Sequence, residues 1–205
     1  MFFVEIGSCC FDTLISLTEK GWSGIVVEPV KEWLDQLPRL EGVAYENVAV
    51  SDVSGEEYFW FMDPEADEVN GDDILKAIGS LDKDFSEFER AESLLIKRKV
   101  KVVTPTELLG KYNVKHVDLL KVDAEGYDDR IVMSMPFDKV RFDRILFEYS
   151  HIEEKPVVEL LKSLGYEIEH IDAGDMLATH KDAKSIDIDI EDYRFAFGSD
   201  GKRHQ

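Results

Sequence analysis

Acids recur where runs of apolar residues give way to turns: Glu5 before Gly7, Glu28 before Pro29, Asp123 and Glu125 before Gly126, and Glu148 before Tyr149. The clearest case is VDLLKVDAEGYD, Val117 to Asp128, where a buried-strand pattern delivers Asp123 and Glu125 to its carboxyl end. In open α/β sheets, ligands bind in the crevice beyond the carboxyl ends of the strands, so acids from several such ends can share one pocket. Carboxylates gathered there can hold hydroxyl groups, attract a cation, or take a proton from a reacting alcohol. A solvated strand-to-helix turn accounts for any one of them. Recurrence at four strand ends favours a common site.

The elements that must position these acids follow from hydropathy. Phe2 to Ile6 reads as a strand, with a helix from Asp12 to Lys20 stopped by Gly21; GIVVE, Gly24 to Glu28, is a second strand. A helix from Val30 to Leu37 ends at Pro38, and Val43 to Val50 forms a third strand. Tyr58 to Met62 is an aromatic strand at a sheet edge or in a flap, its Tyr58, Phe59, Trp60 and Phe61 serving as packing or as a substrate wall. Leu75 to Ile96 contains helical stretches broken around Gly79 to Asp82, and Lys99 to Val103 is a further strand. Thr104, Pro105 and Glu107 are an N-cap, a first-turn proline and a capping-box acid opening a helix to Tyr112. Strand Val117 to Asp123, helix Asp128 to Met133, strand Arg144 to Glu148 and helix Pro156 to Leu164 follow. Tyr166 to Ile171, Met176 to Thr179 and Arg194 to Gly198 complete the sheet, and Ser185 to Asp192 reads as a loop or edge strand. Strands alternating with helices call for an α/β fold with a mostly parallel sheet, helices on both faces and an antiparallel closing strand.

A chain of 205 residues fits one α/β domain, 1–205, with 63–96 as a lid or insertion. Its 24 basic and 44 acidic residues leave a net charge of −20, which argues against nucleic acid as a partner; the one compact basic cluster is Lys97, Arg98, Lys99 and Lys101. The amino terminus, MFFVEIGSCCF, lacks the positive region of an export signal, and no apolar run approaches membrane-spanning length. The expectation is a cytoplasmic protein with no membrane contact and an unspecified oligomeric state.

Gly7 and Glu28 stand about twenty residues apart, the interval at which an acid ending the second strand grips a ribose hydroxyl pair. A dinucleotide and S-adenosylmethionine both carry such a ribose. A dinucleotide needs three glycines so that the backbone can approach its pyrophosphate, whereas the loop here is GSCCFD. S-adenosylmethionine has no phosphate, and its sulfonium charge suits a pocket ringed by Glu5, Glu28 and Asp123.

FVEIGSCCFDTL, GIVVEP, NVAVSDVSG, VDLLKVDAEGYD, ILFEYSHI and LLKSLGYEI, in this order and spacing, resemble the FkbM-type S-adenosylmethionine-dependent methyltransferases from Phe3 to about Thr179. The resemblance implies a Rossmann-like class I methyltransferase fold and methyl transfer to a hydroxyl of a sugar or small natural product, with a small-molecule or glycan acceptor as partner. It also implies that Glu5, Gly7, Ser8 and Cys9 line the cofactor's methionine end and that Glu28, followed by Pro29, takes the ribose. Ala49 to Asp52 would border the adenine, with Asp123 also at the cofactor. Glu5 stands where the family usually has aspartate, Ser8 and Cys9 replace an Ala-Asn pair, and Phe11 replaces a second glycine. Family members often carry an amino-terminal extension covering the substrate; here the alternatives are a minimal protein or a lid from Asp63 to Ile96.

An alcohol that is methylated loses its proton, so a general base is expected among Asp123, Glu148 and His151. Glu125 has two readings, catalysis or holding its turn through backbone N–H groups. A divalent cation bridging Asp123 and Glu148 is chemically compatible, but no ligand spacing calls for one, and no metal is assigned. His116, His170, His180 and His204 show no ligand spacing. Cys9 and Cys10 read as small side chains filling a tight turn, with a reactive thiol pair as the alternative. Two competing functions remain: a degenerate methyltransferase fold acting as a binding module, motivated by Ser8, Cys9 and Phe11, and a nicotinamide-dependent oxidoreductase, disfavoured by the missing glycines.

Overall fold

In a computed structural model, residues 1–10, 14–63 and 78–189 are described. Taken in chain order, they comprise β1 (Phe2–Ile6), a 3-10 helix (Ile15–Lys20), β2 (Ser23–Val27), α1 (Lys31–Leu34), β3 (Val43–Glu46), β4 (Ala49–Val50) and β5 (Gly55–Met62). Then follow β6 (Gly79–Ser80), a second 3-10 helix (Ser86–Leu94), β7 (Leu95–Val103), α2 (Pro105–Lys111), β8 (His116–Val117), β9 (Leu119–Val122) and α3 (Asp128–Met133). The last elements are β10 (Arg141–Phe142), β11 (Arg144–Glu148), α4 (Glu154–Ser163), β12 (Tyr166–His170) and β13 (Asp175–His180).

The main sheet has seven strands in the order β12-β13-β11-β9-β1-β2-β3. All run parallel except β13, which pairs antiparallel with both β11 and β12. Period-two alternation splits the strand residues between two cores. Val4, Ile6, Ile25, Val27, Leu120, Val122, Ile145 and Phe147 pack on one face against α2, α3 and α4. Phe3, Val26, Leu119 and Leu146 face the other way, against Leu14, Ile15, Leu17 and Leu34. The chain leaves β1 toward β2 and β3 on one side and later builds β9 and β11 on the other. That reversal places the topological switch point, and hence the expected ligand crevice, beyond the carboxyl ends of β1 and β9.

The sequence did not anticipate a second, four-stranded sheet in the order β4-β7-β5-β6. The expected strand Val43 to Val50 breaks after Glu46, because the Asn47 amide donates to the carbonyl oxygens of Glu28 and Pro29, both at 2.9 Å. Beyond this anchor Ala49 and Val50 pair with Val102 and Val103 of β7. Gly79 and Ser80, read as a helix break, instead pair with Phe61 and Trp60. The space required is that of a glycine, since a Cβ on Gly79 would lie 2.6 Å from the Phe59 ring. Phe61 meets Trp33 of α1 edge-on at 5.8 Å, and Arg98 clasps Glu32 with two bonds of 2.7 and 2.8 Å, joining this sheet to α1.

Other expectations shift in extent. Only Lys31–Leu34 of the helix expected over Val30 to Leu37 is α-helical, and Ile15–Lys20 is 3-10 in form. The capping box is present: Thr104 Oγ1 accepts from the Glu107 N–H at 3.2 Å, and the Thr104 N–H donates to Glu107 Oε2 at 2.8 Å. The segment Arg194 to Gly198, the residues Phe11 and Asp12, and much of the expected lid lie outside the described residues. No helix among the described residues is long and apolar enough to cross a membrane.

Candidate active site

A cleft enclosing about 680 Å³ of space, solvent at its mouth included, opens at the switch point. Its floor is Gly7, Ser8, Cys9, Glu28, Pro29 and Asp123. Val48, Ala49, Val50, Phe59, Gly79 and Leu81 form the wall supplied by the second sheet and the segment leading into it. The structure thus brings together Gly7, Ser8, Cys9, Glu28, Pro29, Ala49 and Asp123. Glu5 is fully buried and does not line the cleft; its Oε2 accepts from the Leu14 N–H at 3.3 Å. Asp52 is exposed, accepts from Ser51 Oγ at 2.9 Å, and does not line the cleft either.

Gly7 is the narrow point. Its φ is +83°, and a Cβ there would lie 1.7 Å from the carbonyl oxygen of Asp123, so the ends of β1 and β9 touch backbone to backbone. Glu28, 3% exposed, closes β2. Its Oε2 accepts from the Cys9 N–H at 2.8 Å and its Oε1 from the Val30 N–H at 2.7 Å, so the carboxylate is fixed by the loops on either side. Burial pushes its pKa up to about 8, opposed by those two N–H bonds, which favour the ionised form.

The residue missed by reading the sequence is Lys121. It lies opposite Glu5 in the β1–β9 register, is 2% exposed and lines the cleft. Its Nζ lies 3.6 Å from Asp123 Oδ2 and 4.0 Å from Glu5 Oε1, so the buried cation sits between two acids. The signal was present as a lysine in the middle of an otherwise apolar strand.

Of the two readings of Glu125, catalysis or holding its turn, the second role falls to Asp128. The fully buried Asp128 carboxylate accepts from the Ala124 N–H at 3.3 Å through both oxygens. Glu125 adopts φ +51°, and its carbonyl accepts from Ser80 Oγ at 2.7 Å, so the second sheet clamps this turn from above. Beyond it, Glu148 closes β11, with His151 Nε2 3.6 Å from its Oε1 and Ser150 Oγ donating to the same oxygen. The Phe85 ring packs edge-on against His151 at 4.8 Å. Ligand atoms of Glu125, Glu148 and His151 all lie within 4.8 Å of one another, two carboxyl groups and an imidazole, a set chemically able to take a divalent transition metal; Asp123 is not part of the group. The other such group, His116, Asp118 and Asp143, is structural: Asp118 Oδ2 accepts from the Phe2 N–H at 2.7 Å and Asp143 Oδ1 from Arg141 Nε at 2.7 Å.

Burial raises the acids of this region together. Glu148 is pushed up to about 7 by desolvation and then by Asp123, while Glu125 and Asp128 are driven well above the carboxylate range, again by burial first and Asp123 second. With Glu28, four carboxyl groups hold protons in the fold that the unfolded chain releases near its ordinary carboxylate pKa of 4.5 or below. Where the unfolded chain binds fewer protons, stability falls as pH rises. The acids whose pKa is lowered, such as Glu32 and Asp143, act in the opposite sense, and only at lower pH. Without ligand, stability is therefore expected to fall by several kcal/mol, on the order of 6, between pH 5 and 8. Urea midpoints at those two pH values check this, and an equal or higher midpoint at pH 8 contradicts it.

The model of the methyltransferase FkbM domain matches residues 4–168. The chain belongs to that family. Its mostly parallel sheet with one reversed strand, and the cleft at the switch point, are thereby those of a Rossmann-like class I methyltransferase. Among solved structures, a chain of the fibrillarin/Nop5p complex is similar at 9% identity and a TM-score of 0.40, covering 87% of this chain and 71% of that one. No curated protein matches the chain. Within the FkbM family frame, residues 4–168 span every element around the cleft, from β1 through β11.

Proposed function

We propose that this FkbM-family protein is an S-adenosylmethionine-dependent O-methyltransferase acting on a hydroxyl of a sugar or small natural product. The observation that carries the reading is Glu28, held at the cleft floor beside Gly7 by the Cys9 and Val30 amides. Each carboxylate oxygen has a second lone pair, so Glu28 can accept from two ribose hydroxyls while keeping both backbone partners. Val48, Ala49 and Val50 offer an apolar wall for adenine, and Asp123 supplies negative charge beside the crossing of β1 and β9. When bound, S-adenosylmethionine supplies a methyl group activated by a positive sulfonium.

The chain's own work is to orient and to move a proton. Glu148, with a pKa near 7, can accept the acceptor hydroxyl's proton at neutral pH. His151 stands beside it as a second proton carrier. Alignment of the acceptor oxygen supplies much of the remaining rate. A cytoplasmic location and a small-molecule or glycan acceptor belong to the same proposal, the former supported by two cysteines that form no disulfide.

Calorimetric titration of the full chain with S-adenosylhomocysteine tests the reading. Binding in the micromolar range is expected, with no response to reduced nicotinamide dinucleotide in a parallel fluorescence titration. Heat-silent mixing at millimolar ligand, with the fold intact by circular dichroism, would leave a binding module in the methyltransferase fold.

A further inference from the structure

We propose that Lys121 anchors the amino-acid end of the cofactor, its ammonium binding the α-carboxylate that S-adenosylmethionine and S-adenosylhomocysteine both carry. The inference rests on the proposed function and adds to it the residue that fixes the far end of the same ligand. Among the described residues that line the cleft, Lys121 is the only lysine or arginine, and the acids there are Glu28, Asp123 and Glu125. An anionic group entering the cleft therefore meets one countercharge.

How Lys121 is held is the second observation. It is 2% exposed, yet its nearest carboxylate oxygens stand off, Asp123 Oδ2 at 3.6 Å and Glu5 Oε1 at 4.0 Å. Both distances exceed a hydrogen bond, so these acids balance the charge of the ammonium without taking up its N–H donors. A ligand carboxylate that meets those donors on the cleft side forms charge-assisted hydrogen bonds in a place already removed from water, where such bonds are strongest.

Topology sets the reach. Across the sheet the order is β2, β1, β9, with Val26 beside Glu5 and Glu5 beside Lys121. Neighbouring strands lie about 4.8 Å apart, so Lys121 stands roughly 10 Å across the sheet from the strand that Glu28 closes. The thioether arm of the cofactor, extended past Gly7 from a ribose held by Glu28, spans a separation of that size. Asp123 presents the opposite charge beside the ammonium, so the two side chains together offer both signs to a zwitterion. Glu5, fully buried and away from the cleft surface, holds Lys121 from behind without reaching the ligand.

The experiment titrates the full chain calorimetrically with S-adenosylhomocysteine and with its decarboxylated analogue, which keeps the adenosine, the sulfur and the amine. The analogue carries the more positive net charge, so general attraction to an acidic cleft favours it, and a preference for the carboxylate needs a specific partner. Wild type should bind S-adenosylhomocysteine at least about tenfold more tightly than the analogue, and Lys121→Met should bind the two within about twofold of each other. Lys121→Arg, which keeps the charge, should recover part of the preference. If Lys121→Met does not fold by circular dichroism, Lys121→Gln, neutral but able to donate a hydrogen bond, replaces it and should have lost most of the preference. A wild type without preference overturns the proposal, as does a variant that weakens both ligands equally and keeps the wild-type preference, the behaviour of a purely structural lysine. Those outcomes leave S-adenosylhomocysteine binding, and with it the proposed function, standing; a wild type that binds neither ligand ends both.

Discussion

Glu28→Ala is expected to abolish measurable S-adenosylhomocysteine binding, a loss of roughly a hundredfold or more, since two hydrogen bonds to the ribose are removed at up to about 1.5 kcal/mol each. The same substitution strands the Cys9 and Val30 amides in a buried floor, where an unpaired donor costs about 1–3 kcal/mol. A fall in melting temperature should accompany the loss of binding, and the two effects need separating. Glu28→Gln does so, because its amide keeps one acceptor oxygen for a backbone N–H while turning a donor toward the other. It should melt above the alanine variant and still bind at least tenfold more weakly than wild type. An alanine variant that folds and binds like wild type would remove Glu28 from the cofactor site.

Glu148→Gln carries the second large effect. A positioned general base contributes about 10²–10⁴-fold, so kcat should fall within that range while S-adenosylhomocysteine affinity stays within about twofold. The base works only when deprotonated, and Glu148 is raised to about 7 by burial and by Asp123. Wild-type kcat/KM should thus climb through pH 7 and level off above it. In the glutamine variant that rising limb should vanish. Retention of both rate and limb would pass the role to His151 or Asp123; equal loss of rate and cofactor binding would assign Glu148 to the fold.

Much of this site was legible as a pattern of strand ends. Arg144–Glu148 and Asp128–Met133 fall where apolar periodicity put them, and of the acids at the strand ends Glu28, Asp123 and Glu125 line one crevice, whereas Glu5 is buried behind it and Glu148 does not line it. Buried strands of a parallel sheet are apolar on both faces, so their ends stand out as the places where charge returns. Less legible was what depends on one side chain capturing distant backbone. Asn47 breaks a plausible strand by bonding two carbonyls nearly twenty residues away, and the second sheet follows from that break. Asp128 rather than Glu125 holds the turn after β9 for a similar reason: the turn geometry, not the acid's position in the motif, decides which carboxylate meets the Ala124 amide. Lys121 was passed over because a lysine in a strand is ordinarily read as solvent-facing. Its burial makes sense only once register sets it opposite Glu5 and beside Asp123.

The segment expected as a lid or insertion supplies β6 and the second 3-10 helix. Its described part carries Ser80, bonded to the Glu125 carbonyl, and Phe85, packed on His151. The cleft is therefore bordered in part by residues far from the strand ends in sequence, Gly79 and Leu81 among them.

The most direct measurement is a crystal structure of the chain with S-adenosylhomocysteine bound. The account requires the ribose hydroxyls within hydrogen-bond distance of Glu28, with the Cys9 and Val30 amides still bonded to the same carboxylate. A ligand seated elsewhere, or a ribose turned away from Glu28 toward solvent, would contradict it.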